Sequence, residues 1–92
     1  MSADDLKKGQ LVISKMGRDK GKLFVVIFVV DEKFALIADG KHHSVKRPKK
    51  KSIKHLIVLQ EVDKVIAERL SANLALTDEQ LITALRGYVP RE

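Results

Sequence analysis

The chain has 92 residues, of which 45% are apolar, with a formal net charge of +6 and no cysteine. This length allows one domain with a modest core, and the lack of cysteine excludes disulfides and thiolate zinc sites and favours a reducing compartment. The apolar runs are shorter than the roughly 20 residues that a bilayer span needs, and the polar, acidic start is unlike a signal peptide. The sequence therefore predicts a soluble cytoplasmic protein with no membrane contact.

Charge is unevenly distributed along the chain. Residues 1–56 hold 14 Lys and Arg against 6 Asp and Glu, a net charge of +8. Residues 57–92 hold 4 against 6, a net charge of −2. A basic half joined to a mildly acidic half is typical of a module that faces nucleic acid.

The first predicted elements are a flexible arm at residues 1–8 and two strands. Residues 10–14 alternate and are predicted to form a short strand, and residues 23–30 are all apolar, which predicts a longer one. Alternation places Phe24, Val26, Phe28 and Val30 on one face of this second strand and Leu23, Val25, Ile27 and Val29 on the other. Because an exposed apolar face promotes aggregation, we expect the C-terminal segment to cover one of them.

A basic loop bounded by glycines joins the two strands. Gly17 and Gly21 are predicted to take positive φ, which other residues adopt at a cost. The cations of the loop are Lys15, Arg18, Lys20 and Lys22. Solvation of a loop tip is the ordinary explanation of such charges. Three cations crowded between and after the glycines also fit an anionic partner.

A third strand and a second basic cluster follow. Residues 34–38 are predicted to be a strand that turns at Asp39 and Gly40 into a return strand at residues 41–46. Pro48 interrupts the pattern and predicts a cationic segment that projects from the sheet, before a last strand at residues 52–56 or slightly beyond. The cations of this cluster are Lys46, Arg47, Lys49, Lys50, Lys51 and Lys54.

From Gln60 the apolar period becomes helical and predicts a first helix. Thr77 and Gln80 have the spacing of a capping box, which predicts a second helix at residues 78–86 that stops at Gly87. The predicted fold is mainly β, a five-stranded antiparallel barrel at residues 9–58 followed by two short α-helices. These helices form a C-terminal segment at residues 59–92 that packs on the barrel.

No pattern predicts a metal, a cofactor or catalysis. His42 and His43 are neighbours in a predicted strand and point to opposite faces, so we interpret them as polar residues near phosphates rather than metal ligands. The serines lack a nucleophile signature, and Asp19 and Asp39 are interpreted as turn formers. An enzyme is therefore the weakest hypothesis. The phenylalanines are interpreted as core residues rather than platforms for stacked bases.

Residues 9–56 resemble the KOW domain, an SH3-like β-barrel found in ribosomal large-subunit proteins and transcription elongation factors. The carrying stretches are residues 9–12 (GQLV), 17–22 (GRDKGK), 39–40 (DG), 45–47 (VKR) and 54–56 (KHL). The combination is most similar to small bacterial KOW-domain RNA-binding proteins related to the archaeal and eukaryotic ribosomal protein family numbered fourteen. Many KOW motifs have a further glycine where this chain has Leu23 and Phe24, a departure that fits the ribosomal branch better.

The resemblance implies an RNA-binding protein associated with translation or the ribosome and a monomer when free. Its partner would be ribosomal RNA or another structured RNA, with ribosomal proteins as further partners. Contacts to phosphates and 2′-hydroxyls would read shape rather than base identity. The predicted RNA-binding residues are Lys15, Arg18, Lys20, Lys22, His42, His43, Lys46, Arg47, Lys49, Lys50, Lys51 and Lys54, with Gly17, Gly21 and Gly40 shaping the loops.

An alternative function comes from a different class. SH3-like barrels also bind peptides, so the basic face could bind an acidic segment of a partner in transcription or translation. Such a module usually has an exposed aromatic groove, which the sequence does not indicate. The two functions differ in what the basic loops contact.

Overall fold

The computed structural model describes residues 6–88. Its five strands are β1 (Gln10–Ser14), β2 (Leu23–Val29), β3 (Phe34–Ala38), β4 (Lys49–Ser52) and β5 (Leu56–Val62). A short 3-10 turn, Ile53–His55, joins β4 to β5, and two helices follow, α1 (Lys64–Ser71) and α2 (Asp78–Arg86). The prediction of a mainly β fold with five antiparallel strands and two C-terminal helices is confirmed. None of the helices among residues 6–88 has the length and apolar character that a membrane span needs.

The strands form one antiparallel sheet in the order β4-β3-β2-β1-β5. β4 and β5 are therefore its two edges, although only the 3-10 turn separates them in the chain. In a flat sheet the edges would lie about 19 Å apart, at about 4.8 Å per strand. Residues 52 to 56 can span about 14 Å at most. The sheet must therefore curve until its edges lie within about 14 Å of each other at this corner, and no ladder pairs β4 with β5 within the described residues.

The predicted strand boundaries after β3 are wrong. Residues 41–46 form an irregular, bent loop instead of a return strand. The strand that pairs with β3 is β4, which lies within the segment that was predicted to project from the sheet. Pro48 lies just before this edge strand, where its missing N–H leaves no gap in the ladder. The predicted last strand at residues 52–56 spans the end of β4, the 3-10 turn and the start of β5.

The first helix begins later than predicted. β5 continues to Val62, which is paired with Gln10 of β1, and Asp63 then caps α1 by accepting a hydrogen bond from the Ile66 N–H. Pairing with β1 thus overrides the helical period that starts at Gln60. The second helix is confirmed from Asp78 to Arg86, with the complete capping box between Thr77 and Gln80.

One face of the sheet closes on an inner core. Its buried members are Leu6, Val12, Phe24, Val26, Ala35, Ile37, Ile53 and Leu56. Leu6 belongs to the predicted arm, of which residues 1–5 lie outside the described part of the chain.

A bulge in β2 changes which side chains face this inner core. The register between β2 and β3 shifts between Val26 and Phe28. Because one extra residue reverses the alternation, Val29 packs against the inner core and Phe28 is 47% exposed. The predicted placement of Phe28 in the core is wrong for this reason.

The opposite face of the sheet is covered by both helices. Leu11, Val25 and Ala38 form an outer core with Ile66 of α1 and Leu81 of α2. The prediction that a helix covers the second apolar face of β2 is confirmed. The chain therefore has two apolar layers, one on each side of the sheet.

Candidate nucleic-acid interface

The loop between β1 and β2 is a compact turn. Gly17 and Gly21 have φ of +81° and +84°, the left-handed conformation that the sequence predicts. The Gly21 N–H donates to the Ser14 carbonyl at 2.8 Å, and the Lys22 N–H donates to the Asp19 carbonyl at 2.9 Å. These bonds hold the backbone while the cationic side chains stay exposed, namely those of Lys15, Arg18, Lys20 and Lys22.

Asp19 is buried within this otherwise exposed loop, with 6% of its surface accessible. Its Oδ2 accepts a hydrogen bond from Lys49 Nζ at 3.0 Å and lies 3.2 Å from His43 Nε2. The carboxylate therefore links three segments: the β1–β2 loop, the β3–β4 loop and strand β4. The interpretation of Asp19 as a turn former accounts for its backbone hydrogen bond with Lys22 but not for these side-chain contacts.

Lys51 makes a second link between β4 and the same loop. Its side chain is buried, and its Nζ donates to the Met16 carbonyl at 2.9 Å. Side chains alternate along a strand, so Lys49 and Lys51 share one face of β4 while Lys50 lies on the other. Lys50 Nζ sits 4.6 Å from the centroid of the Phe34 ring. Of three consecutive lysines, two thus tie the fold together and one remains exposed.

The loop between β3 and β4 is organised by Asp39. Its Oδ1 accepts hydrogen bonds from the backbone N–H groups of Lys41, His42 and His43 at 2.9 to 3.0 Å, and Oδ2 lies 3.1 Å from His42 Nδ1. Gly40 has φ of +84°. Because the side chain satisfies three successive N–H groups, the chain forms a wide loop here rather than the predicted tight hairpin.

The N-terminus of α2 supports this same loop. The Val45 N–H donates to Asp78 Oδ1 at 2.8 Å. Lys46 and Arg47, the next two residues, are exposed. Helix α2 thus contributes to the outer core and also holds the segment that carries Lys46 and Arg47.

The predicted site residues fall into two groups. Contacts among Asp19, His43, Lys49, Lys51 and Met16 bring the β1–β2 loop beside the β3–β4 loop and β4, and with them most of both basic clusters. Lys15 and Lys54 instead line a cleft of about 650 Å³ beside the 3-10 turn.

Sequence reasoning missed two features of these groups. Lys33 also lines the cleft, and its only sequence signal was one cation in a polar turn. The linking role of Asp19 had no local signal at all, because both of its partners are distant in the chain. Contact of any of these residues with RNA stays a prediction.

The carboxylates of both loops favour the ionised form. The hydrogen bond from Lys49 is the main cause that lowers the pKa of Asp19; burial opposes it and His43 supports it. Burial by itself would raise the pKa of Asp39, but the hydrogen bonds from the backbones of His43 and Lys41 and from His42 outweigh it and lower the pKa. Both side chains are therefore negatively charged at neutral pH.

We expect the protein to lose stability in acid through these two groups. A carboxyl group whose pKa is lowered by folding stabilises the protein fully above its ordinary value of 3.8, and this contribution is lost as the pH falls through the folded pKa. Urea denaturation between neutral pH and about pH 2 should show the free energy of unfolding falling below about pH 4. Asp19→Asn and Asp39→Asn should each flatten that fall. Identical profiles for wild type and both variants would contradict the assignment.

Comparison with known proteins assigns no family to this chain. No family model matches it, and no curated protein matches it. Within residues 6–88, no three His, Cys, Asp or Glu side chains are grouped closely enough to hold a metal ion.

Proposed function

We propose that this protein binds structured RNA through phosphate contacts made by the β1–β2 and β3–β4 loops. The observation that carries the proposal is the linkage of two basic segments that are distant in sequence. Asp19 and Lys49 are 30 residues apart in the chain and 3.0 Å apart in space, and the Lys51 ammonium binds the Met16 carbonyl. The exposed cations of both segments therefore lie on two loops that are linked to each other.

Five exposed cations are the proposed phosphate contacts. They are Arg18, Lys20, Lys22, Lys46 and Arg47. None of them forms an ion pair with another residue in the described part of the chain. The two guanidinium groups can bind phosphate oxygens in a bidentate manner, whereas the ammonium groups act as point charges. Lys49 and Lys51 are left out because Asp19 and the Met16 carbonyl occupy their ammonium groups.

The expected mode of recognition is shape rather than sequence. Phe24 is fully buried, and a lysine ammonium lies within 5.4 Å of each of the other two rings, Lys8 over Phe28 and Lys50 over Phe34. These rings are poorly placed for the stacking of splayed bases, which sequence-specific RNA binding commonly uses. Phosphate contacts position a protein without specifying bases.

The proposed fold family is the SH3-like KOW barrel. Its support is the coiled five-stranded sheet around one inner core and the side-chain links from β4 to the β1–β2 loop, together with the sequence resemblance. On this basis the protein would be a relative of the small bacterial KOW-domain RNA-binding proteins. It would act in the cytoplasm on ribosomal RNA or in association with the ribosome.

One observation favours the alternative of an acidic protein partner. The cleft beside the 3-10 turn combines an apolar floor, including Phe34 and Ile57, with the cations Lys15, Lys33 and Lys54. Ile57 is 46% exposed. An acidic peptide with an apolar anchor would match this surface, so the test of RNA binding includes such a peptide.

Binding to a structured RNA should weaken steeply with salt. Five phosphate contacts, at about 0.7 to 0.9 counterions each, predict a log–log slope of about −3.5 to −4.5. Neutralising Arg18 and Arg47 together should make the slope shallower by about 1.4 to 1.8 and weaken binding to different RNA sequences alike. The measurement is a titration of binding against salt, with circular dichroism to check the fold.

The matched control neutralises two exposed cations on the helices. Lys64→Ala with Arg86→Ala removes the same charge from α1 and α2 and should leave the slope close to that of wild type. An unchanged slope after loss of Arg18 and Arg47 would exclude them as contacts. Absence of RNA binding at low salt, together with binding of an acidic peptide, would replace this function with the alternative.

A further inference from the structure

Asp19 places a negative charge in the middle of a basic surface. A carboxylate repels RNA phosphates, and its burial costs free energy unless it is paired. If charge alone decided RNA affinity, this residue would oppose binding. Its contacts indicate another role.

The carboxylate is held by two side chains that are themselves fixed to the sheet. Lys49, 3.0 Å from Oδ2, is the first residue of β4 and pairs with Ile37 of the inner core. His43, 3.2 Å from Oδ2, packs its ring against Phe24 with centroids 5.8 Å apart. Asp19 therefore connects the loop that carries Arg18 and Lys20 to two residues that contact the inner core.

The other bonds of the loop cannot replace this connection. Those of Gly21 and Lys22 run back to Ser14 and Asp19 within the same hairpin. Beyond Asp19, the Lys51 bond to the Met16 carbonyl is the side-chain link to β4, and it lies ahead of the glycine-bounded tip. Without Asp19, the tip from Gly17 to Gly21 would have no side-chain tie to the β3–β4 loop among the described residues.

We propose that Asp19 is a positioning residue for RNA, which clamps the β1–β2 loop against the β3–β4 loop so that Arg18, Lys20 and Arg47 reach the phosphates of one RNA at the same time. The inference rests on the proposed function. A clamped pair of loops binds as one preorganised surface, whereas separate loops must be ordered during binding. The negative charge of Asp19 is then needed to hold the cations of the two loops in place.

The clamp predicts an effect opposite in sign to simple electrostatics. Asp19→Asn keeps the size of the side chain and makes the protein more positive by one charge, yet it should bind a structured RNA about tenfold more weakly at moderate salt. The log–log salt slope should also become shallower by about one to two, because the contacts of the two loops no longer form together.

Glu32→Gln is the matched control because it changes the net charge by the same amount. Glu32 is exposed, and it has no hydrogen bond or ion pair to another side chain within residues 6–88. The Glu32→Gln variant should bind RNA at least as tightly as wild type. Lys49→Gln breaks the same ion pair from the other side, so it should repeat the loss, and the double variant should be no weaker than Asp19→Asn alone.

The salt slope separates positioning from a general loss of stability. Binding is measured at a temperature at which circular dichroism shows every variant to be folded, where a merely structural role would leave the slope unchanged. If Asp19→Asn does not fold, the test is Lys49→Gln compared with Lys50→Gln, which removes the same charge from the other face of β4 without breaking the ion pair, so that only Lys49→Gln should make the slope shallower by more than one contact. RNA binding by Asp19→Asn equal to that of Glu32→Gln would overturn the clamp alone. Absence of RNA binding by wild type at low salt would overturn the proposed function and the clamp with it.

Discussion

Replacing Gly40 with alanine is expected to lower the free energy of unfolding by about 3 kcal/mol. Gly40 has φ of +84°, and a left-handed conformation costs a residue with a Cβ about 1–2 kcal/mol. An added Cβ would also lie 2.5 Å from the backbone carbonyl oxygen of Asp78. Because the backbone at a capped helix terminus cannot move as a side chain can, α2 would have to shift. Such overpacking lowers the free energy of unfolding by a further 1–3 kcal/mol, roughly.

Gly21→Ala is the control for this prediction. Gly21 has the same φ of +84°, but a Cβ there would meet no atom within 4 Å. Its cost should therefore be the backbone strain alone, about 1–2 kcal/mol. Urea denaturation of both variants measures the difference. Equal losses would show that the close approach of Gly40 to α2 contributes nothing to stability.

Truncating Leu81 to alanine should lower the free energy of unfolding by about 3 kcal/mol. A buried Leu-to-Ala change loses the transfer free energy of the side chain and leaves a cavity. Leu81 is fully buried between α2 and the sheet, in the cluster that contains Leu11 and Val25. Because Asp78 of the same helix binds the Val45 N–H, loosening α2 should also disorder the loop that carries Lys46 and Arg47. Hydrogen exchange of the Val45 N–H should become faster in this variant.

Val65→Ala provides the comparison on the other helix. Val65 is 61% exposed, so its truncation should change the free energy of unfolding by no more than about 0.5 kcal/mol. Chemical denaturation of the two variants side by side checks both expectations. A loss below about 1 kcal/mol for Leu81→Ala would mean that α2 stabilises the sheet little.

Helix α2 is tied to the loops of the candidate interface and is not merely a cover for the sheet. The outer core holds α2 on the sheet, Asp78 and Gly40 hold the β3–β4 loop on α2, and Asp19 holds the β1–β2 loop on β4. Each step is a contact between residues far apart in sequence. Affinity for RNA should therefore respond to substitutions that loosen the buried contacts of α2, even though they leave its exposed cations in place.

Several elements were predictable because their signals are local. β1 and β3 have the boundaries that alternation and turn residues predict, and α2 begins at a capping box whose donors and acceptors lie within four residues. The positive φ of Gly17 and Gly21 is likewise a property of one loop. The apolar residues on both faces of β2 correctly indicated that a second layer would cover the sheet.

Other features were not predictable because they depend on which other part of the chain a segment pairs with or binds. Residues 41–46 have the composition of an edge strand, but the Asp39 side chain binds their backbone and β4 takes their place beside β3. The bulge after Val26 turns Phe28 outward, and pairing with β1 extends β5 past the residue where the helical period begins. In each case a backbone ladder or a side-chain hydrogen bond outweighed local propensity.

By itself, the sequence determined a small, mainly β domain with two C-terminal helices and two basic segments, one bounded by glycines and the other interrupted by a proline. These features are predictable because charge, alternation and helix caps are encoded within a few residues. Only the tertiary structure decided which cations are available. It placed Lys49 on Asp19 and Lys51 on the Met16 carbonyl, and it left Arg18, Lys20, Lys46 and Arg47 exposed. The physical reason is that a buried carboxylate or ammonium group needs a partner, and that partner is set by how the sheet coils rather than by its distance along the chain.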